Sequence, residues 1–332
     1  MRLDAPAEGE GALIERIARR VGQVSLPDAF RLVLGIGDDT AALQIGEQTL
    51  LWTADMLLEG IHFRLDWIDP ASLGWKSLAV NLSDIAAMGG TPVGALLSLA
   101  LPAERTGAWL DAFVDGLAEC ARAHGVVLLG GDTNRAEQVV IDVSVLGVVA
   151  GRPVPRSGAQ AGDWLLATGA LGGSRAGLYA LLAGEASAID LTPHFRPIPR
   201  LQVGALAREL GATAMMDISD GLAADLPKLL RASGVGAVVY AAQVPVHPAA
   251  ARWAHAHALD PVAFAIAGGE DYELLIAAPP PVAQHLLECV PAEAGVPLTH
   301  IGEVIAAQEV WLQRADGGRE PFAITGWDHF RA

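Results

Sequence analysis

The sequence predicts an α/β protein of two domains. Three observations lead there. The chain has 332 residues, about twice the length of a common domain. Apolar, strand-like runs alternate with segments whose apolar residues recur at helical spacing. One stretch near the middle, GRPVPRSGAQAGD at 151–163, has the Gly and Pro density of a connection between domains. The expected division is 1–150 and 151–332.

The elements follow in order. Residues 10–21 place Leu13, Ile14, Ile17, Ala18 and Val21 on one helical face. Residues 31–63 read as two strands about a turn, LVLGIGDD and QTLLWTADMLLEGIHF. A helix over 70–90 is capped by Asp69 and stopped by Gly89-Gly90. A strand at 93–101, a helix at 104–124 and strands at 126–130 and 138–150 complete the first half. In the second half WLLATG is a strand, ALGGSRAGLYALLAG a glycine-rich turn and helix, and LTPHFRPIP a loop. Then come a helix (200–210), the strand TAMMDIS, the helix DGLAADLPKLLRAS, the strands AVVYAA and YELLIAAP and a helix at 282–290. LTHIGEV is expected as the last strand, before a polar tail.

Composition bounds the function. The chain is 52% hydrophobic, enough for a sizeable core, and only 5% aromatic, so that core is aliphatic. Thirty-eight acids against 22 bases give a net charge of −16, which argues against a nucleic-acid partner. Two cysteines, Cys120 and Cys289, exclude a disulfide framework and a cysteine-rich zinc site. The start lacks the apolar run of a signal peptide, and apolar stretches such as VGALLSLALP at 93–102 are too short to span a bilayer. A cytoplasmic protein without a membrane partner is expected. Lys76 and Lys228 are the only lysines and neither follows a glycine, so there is no Walker A loop. No GxGxxG follows a strand, and neither HExxH nor GxSxG occurs.

The informative feature is where the acids sit. Asp38 and Asp39 in GIGDDTAAL, Asp55 in LWTADMLLEG, Asp132 in LLGGDTNR, and Asp217 and Asp220 in AMMDISDGL lie at the ends of apolar strands beside small residues. Asp84 lies inside the apolar helix segment SLAVNLSDIAAMGG. Any one of them could cap a turn or a helix. Together, in a chain with two lysines, they call for other counter-charges, because a carboxylate taken out of water needs a partner. An all-oxygen set suits Mg²⁺ or Mn²⁺ better than zinc, and Mg²⁺ usually arrives with phosphates. Paired glycines beside the acids (Gly130-Gly131, Gly172-Gly173, Gly268-Gly269) allow close backbone approach to a ligand.

GIGDDTAAL, WTADMLLEGIHF, KSLAVNLSDIAAMGG, GGDTNR, RSGAQAGD, MDISDGLAADL, GGEDYELL and GWDHF occur in this order from about residue 35 to 330. In this register the chain resembles the thiamine-monophosphate kinases, of the superfamily that includes aminoimidazole ribonucleotide synthetase and selenophosphate synthetase. The resemblance implies an N-terminal mixed sheet with helices that pairs in a homodimer, and a C-terminal α/β sandwich. ATP and several Mg²⁺ ions would lie in the cleft between them. It implies a metal shell of Asp38, Asp39, Thr53, Asp55, Asp84, Asp132, Asp217 and Asp220. It gives Gly131, Asp132, Arg156 and Ser219 as ATP contacts, and His62, Glu270 and Trp327 as contacts to thiamine monophosphate. Ala54 departs from the pattern, which often has a hydroxyl residue before the Asp. That is harmless if the position offers only its carbonyl and costs a ligand if a side-chain oxygen is needed.

The reaction implied is ATP plus thiamine monophosphate giving ADP plus thiamine diphosphate. A phosphate acceptor is largely ionised at neutral pH and needs no general base, and none is assigned. Two rival readings remain: another ATP-dependent enzyme of the superfamily, or a non-catalytic metal- and nucleotide-binding protein of the same fold. A selenophosphate synthetase should carry a reactive cysteine in a glycine-rich N-terminal segment, whereas the first cysteine here is Cys120 in a helical stretch.

Overall fold

The computed structural model describes residues 9–21 and 25–322. Its first half is a six-stranded sheet in the order β1-β2-β3-β6-β4-β5. The strands are β1 (Phe30–Leu34), β2 (Ala41–Ile45), β3 (Gln48–Leu58), β4 (Thr91–Leu101), β5 (Val127–Arg135) and β6 (Val140–Ala150). Neighbours are antiparallel except β4 and β5. The segment 31–63 thus holds three strands rather than two, because Gly46 turns the chain back between β2 and β3.

Helices α2 (Pro70–Ala87) and α3 (Ala108–His124) cover one face of this sheet. Leu73, Leu78, Leu82 and Ile85 of α2 join Leu51, Val143 and Val145 of the sheet in the core. The Asp69 side chain accepts from Ser72 N at 2.9 Å, the expected cap. Helix α3 starts later than expected, after a 3₁₀ turn at 103–105. The opposite face of the sheet carries the exposed Trp52, Met56 and Leu96, and every residue of β5 is exposed. Helix α1 (Glu10–Val21) has the amphipathic pattern expected of it but buries none of its residues, leaving Ile14, Ile17 and Val21 exposed.

The second half is a seven-stranded sheet in the order β13-β12-β9-β11-β7-β10-β8. Its strands are β7 (Trp164–Thr168), β8 (Ala214–Ile218), β9 (Gly236–Tyr240), β10 (Glu273–Ala278), β11 (Leu298–Ile305), β12 (Val310–Gln313) and β13 (Arg319–Pro321). Only β9 and β12 are parallel neighbours. The segment after LTHIGEV therefore continues the sheet as β12 and β13 and is not simply a polar tail. The helices are α4 (Gly173–Ala183), α5 (Thr192–Phe195), α6 (Leu201–Leu210), α7 (Leu222–Ser233), α8 (Pro248–Ala256), α9 (Pro261–Ile266) and α10 (Pro280–Ala294). Helices α8 and α9 were not expected from the sequence pattern, although each begins on a proline at its first position, a start signal.

Helix α2 joins the two halves. It is apolar on nearly all sides, as a helix buried all round must be. Ala86 and Ala87 at its end pack with Val203, Met215 and Leu274 of the second half. Gly204 of α6 permits this approach: a Cβ there would sit 1.9 Å from the Ala86 carbonyl oxygen. Among the described residues no helix is long and apolar enough to cross a membrane.

Candidate active site

The predicted acids from both halves meet around the C-terminal end of α2. Asp39 comes from the turn between β1 and β2, Asp84 from the last turn of α2 and Asp217 from β8. One carboxylate oxygen of each lies within 4.8 Å of the other two. Asp84 sits where a helix end already carries partial negative charge, which makes its own charge harder to hold. Burial, then Asp55 and Asp217, push its pKa well above the carboxylate range. Burial, then Asp39, do the same to Asp217. Hydroxyls relieve part of this: Thr53 Oγ1 donates to Asp84 Oδ2, and Ser83 Oγ donates to Asp217 Oδ2 at 2.7 Å.

Asp55 extends the cluster along β3. Its backbone N–H donates to Asn81 Oδ1 at 3.0 Å, tying the strand to α2. Burial, then the charges of Asp142, Asp220 and Asp39, raise its pKa to about 6. Asp38 is raised to about 6 by burial and then by Asp39, although the backbone N–H groups of Asp39 and Arg156 both donate to it. Arg156 donates to Asp39 Oδ1 through Nη2. Asp39 Oδ2 and Arg156 Nε are buried without a hydrogen-bond partner among the described residues. Burial alternates along β3, with Thr53 on the inner face beside Asp84 and Ala54 exposed on the other. A side chain at 54 would point away from the cluster, so Ala54 removes no side-chain ligand from this face.

The other expected residues are dispersed. Asp220 is paired with Lys228 Nζ, which also reaches Asp225 Oδ1 at 2.8 Å. Asp132 is not in the buried cluster. It lies exposed on β5, in register with Ser98 of β4, which is in register with Asp142 of β6. Two strand spacings, about 9–10 Å, separate β5 from β6. Gly131 beside it leaves no room for a side chain, since a Cβ would lie 1.8 Å from the Leu97 carbonyl oxygen. The Ser219 carbonyl accepts from Glu270 N at 2.6 Å. His62 Nδ1 accepts from Leu58 N at 2.9 Å, which leaves its proton on Nε2. Trp327 lies outside the described residues.

Glu270 opens a second cluster. Its Oε1 is 2.9 Å from Lys76 Nζ of α2, and its Oε2 is 3.2 Å from His194 Nδ1 of α5. Burial alone would raise its carboxyl; Lys76 and then His194 reverse this and hold it well below the usual range. Glu270 and Tyr272 both have left-handed backbone, φ +61° and +51°, at a cost of about 1–3 kcal/mol each for side chains that rarely adopt it. Asp271 between them holds the strained loop by accepting from Gly172 N at 2.6 Å and Ser174 N at 3.2 Å at the start of α4. Tyr272 is buried; burial, then the charges of Glu270, Asp55, Asp217 and Asp84, raise its phenol well above its ordinary value. Its hydroxyl therefore stays protonated between the two clusters.

Sequence reasoning passed over Lys76, Asp142, His194, Lys228 and Tyr272. Two had a signal. A lysine inside the apolar stretch of α2 must be buried and so must have an acid partner. Asp142 and Ser144 alternate with apolar residues along β6 and so mark the outer sheet face. His194, in a proline-rich loop, had none.

Comparison with known proteins agrees with the two-domain fold. The family models described as AIR synthase related protein, N-terminal domain and C-terminal domain, match residues 37–149 and 160–313. Fold and models together place the chain in this class of two-domain proteins. The thiamine-monophosphate kinase of Escherichia coli K12 is 40% identical over 331 residues, covering 97% of this chain and 98% of the relative. That of Synechococcus elongatus is 39% identical, covering 93% and 95%. A solved structure of AaThiL complexed with AMPPCP and TMP superposes with a TM-score of 0.83 at 32% identity, over 97% of each chain. The chain belongs to the thiamine-monophosphate kinase family and is a phosphotransferase.

Proposed function

We propose that the chain transfers the γ-phosphoryl group of ATP directly, in line, to thiamine monophosphate, giving thiamine diphosphate and ADP. The observation that carries this reading is the buried Asp39–Asp84–Asp217 cluster drawn from both halves. Its carboxylates repel one another, one oxygen has no partner, and its donors are all oxygen. These features fit Mg²⁺. Asp39, Asp84 and Asp217 would hold such an ion, with Asp38, Thr53, Asp55 and Asp220 beside them and Asp132 on the outer edge. Bound there, Mg²⁺ supplies charge neutralisation for the phosphates.

The chain's own groups do the rest. In this reading Gly131, Asp132, Arg156 and Ser219 bind the nucleotide, and His62, Glu270 and Trp327 bind the acceptor. Arg156, fixed against Asp38 and Asp39, brings a guanidinium to the nucleotide phosphates. His62, its Nδ1 held by the Leu58 N–H, sets an imidazole toward the acceptor. Tyr272 holds its proton between the two clusters. None of these groups needs to act as a general base, because the acceptor phosphate is already ionised. Cys120 is buried in α3 with its thiol pushed up to about 12, which suits neither a nucleophile nor a redox thiol.

The domain roles follow the same reading: 1–150 carries nucleotide and metal binding and dimerisation, and 151–332 completes the cleft. The homodimer would form across the outer sheet face, where Trp52, Met56, Leu96 and the edge residues Val127, Leu128 and Leu129 are exposed. The function is tested by ADP release from ATP in the presence of thiamine monophosphate, of free thiamine, or of neither. ADP and thiamine diphosphate should appear together only with the monophosphate. Equal turnover of thiamine, whose hydroxyl needs a base, would contradict the reading.

A further inference from the structure

We infer that Lys76 and His194 are positioning residues for acceptor recognition: they hold Glu270 in one orientation as an anionic hydrogen-bond acceptor for a cationic, amine-bearing ring. The inference rests on the reading that Glu270 contacts the acceptor. Lys76 is almost wholly buried, 1% exposed, whereas Glu270 is a quarter exposed. The lysine cannot itself reach a ligand, so its effect passes through the carboxylate. Each Glu270 oxygen takes one partner, Lys76 on Oε1 and His194 on Oε2, and a carboxylate has about four lone-pair sites. A lone pair on each oxygen remains for a ligand N–H.

The rest of the setting fixes the geometry. Ser174 Oγ lies 2.8 Å from His194 Nδ1 and steadies the ring. Burial, then the Lys76 charge, lower the His194 pKa, so it stays a neutral donor beside the carboxylate. Glu270 N donates to the Ser219 carbonyl and Tyr272 N to the Ile218 carbonyl at 3.0 Å, so the strained loop has little freedom. The two partners of the Glu270 carboxylate come from α2 and α5, with Ser174 of α4 behind His194, so both halves of the chain set one carboxylate. A pair serving stability alone would have no reason to leave its acid partly open while the base is sealed.

The test is steady-state kinetics of Glu270→Gln, Lys76→Met, His194→Asn and the double variants of Glu270→Gln with each of the other two, with melting temperatures alongside. Glu270→Gln and Lys76→Met should each raise the KM for thiamine monophosphate about tenfold or more, with the KM for ATP changed less than twofold. In the Glu270→Gln background Lys76→Met should add little, because its route of action is already gone. The double variant removes both charges of the buried pair and so remains foldable if the single lysine change does not. His194→Asn should behave in the same way at smaller amplitude. Should Lys76→Met fail to fold, His194→Asn decides by the same rule. If Glu270→Gln raises that KM but Lys76→Met and His194→Asn do not, or if their effects persist in full in the Glu270→Gln background, the inference is overturned and the acceptor reading stands. If Glu270→Gln itself leaves that KM unchanged, the acceptor reading fails first.

Discussion

Asp84 shows what the site demands of a single residue. It is buried at the end of a helix, faces Asp55, Asp217 and Asp39, and has one hydroxyl donor for relief. Replacing it with asparagine keeps the shape and removes one of several repelling charges. Asp84→Asn should therefore fold, gain stability on the order of 1 kcal/mol when no divalent cation is present, and lose at least about a hundredfold in turnover. Thermal unfolding in chelator and a turnover assay check both halves. A loss of stability together with retained activity would remove Asp84 from the metal shell. At this scale the sequence was readable because an acid among apolar residues is costly and therefore informative. It did not reveal which cation answers which acid. Lys76 answers Glu270 across 194 positions of chain, a pairing made only by the packing of α2 against the second half. Lys228 answers Asp225 within α7, an i, i+3 spacing legible in the sequence, and reaches Asp220 just before the helix.

Among the elements, those with strong local signals formed where expected. Helix α2 has a cap, a glycine stop and apolar residues throughout, and it spans Pro70–Ala87. Strand β6 alternates between buried and half-buried positions along its length. What was missed depends on distant partners. Four-residue β12 exists because β9 lies parallel beside it, more than 60 residues earlier in the chain. Strand β2, five residues separated from β3 by a two-residue turn, fell within the segment expected to be the turn between two strands. The same register that sends Thr53 and Asp55 inward sends Trp52 and Met56 outward, where they stand exposed among the described residues. The proposed homodimer would bury this face. Trp52→Asp should shift the species seen by sedimentation from dimer to monomer with little change in helical content. An unchanged dimer would place the interface elsewhere.

For the whole molecule, the two halves share one problem: carboxylates from both converge where few side-chain cations reach them. The sign of its pH dependence follows from the raised acids. Asp38 and Asp55 titrate at about 6 in the folded chain against an ordinary 3.8. Between about pH 4 and 6 the folded chain holds protons that the unfolded chain has released, so stability falls as pH rises through that window. Glu270 acts in the opposite sense. Its carboxyl is depressed, so its contribution is complete above the ordinary 4.5 and is lost only as pH falls below it.

The central claim is that this convergence is a divalent-cation site joining the two halves. It is tested most directly by thermal unfolding across pH 5 to 8, with chelator and with Mg²⁺ plus a non-hydrolysable ATP analogue. In chelator the melting temperature should be highest near pH 5 and fall toward pH 7. With Mg²⁺ and nucleotide it should rise above the chelator curve, with the largest gap above pH 6, where the carboxylates are ionised and the cation binds them best. A melting temperature that rises with pH in chelator, or that does not respond to Mg²⁺ and nucleotide above pH 6, would contradict the claim.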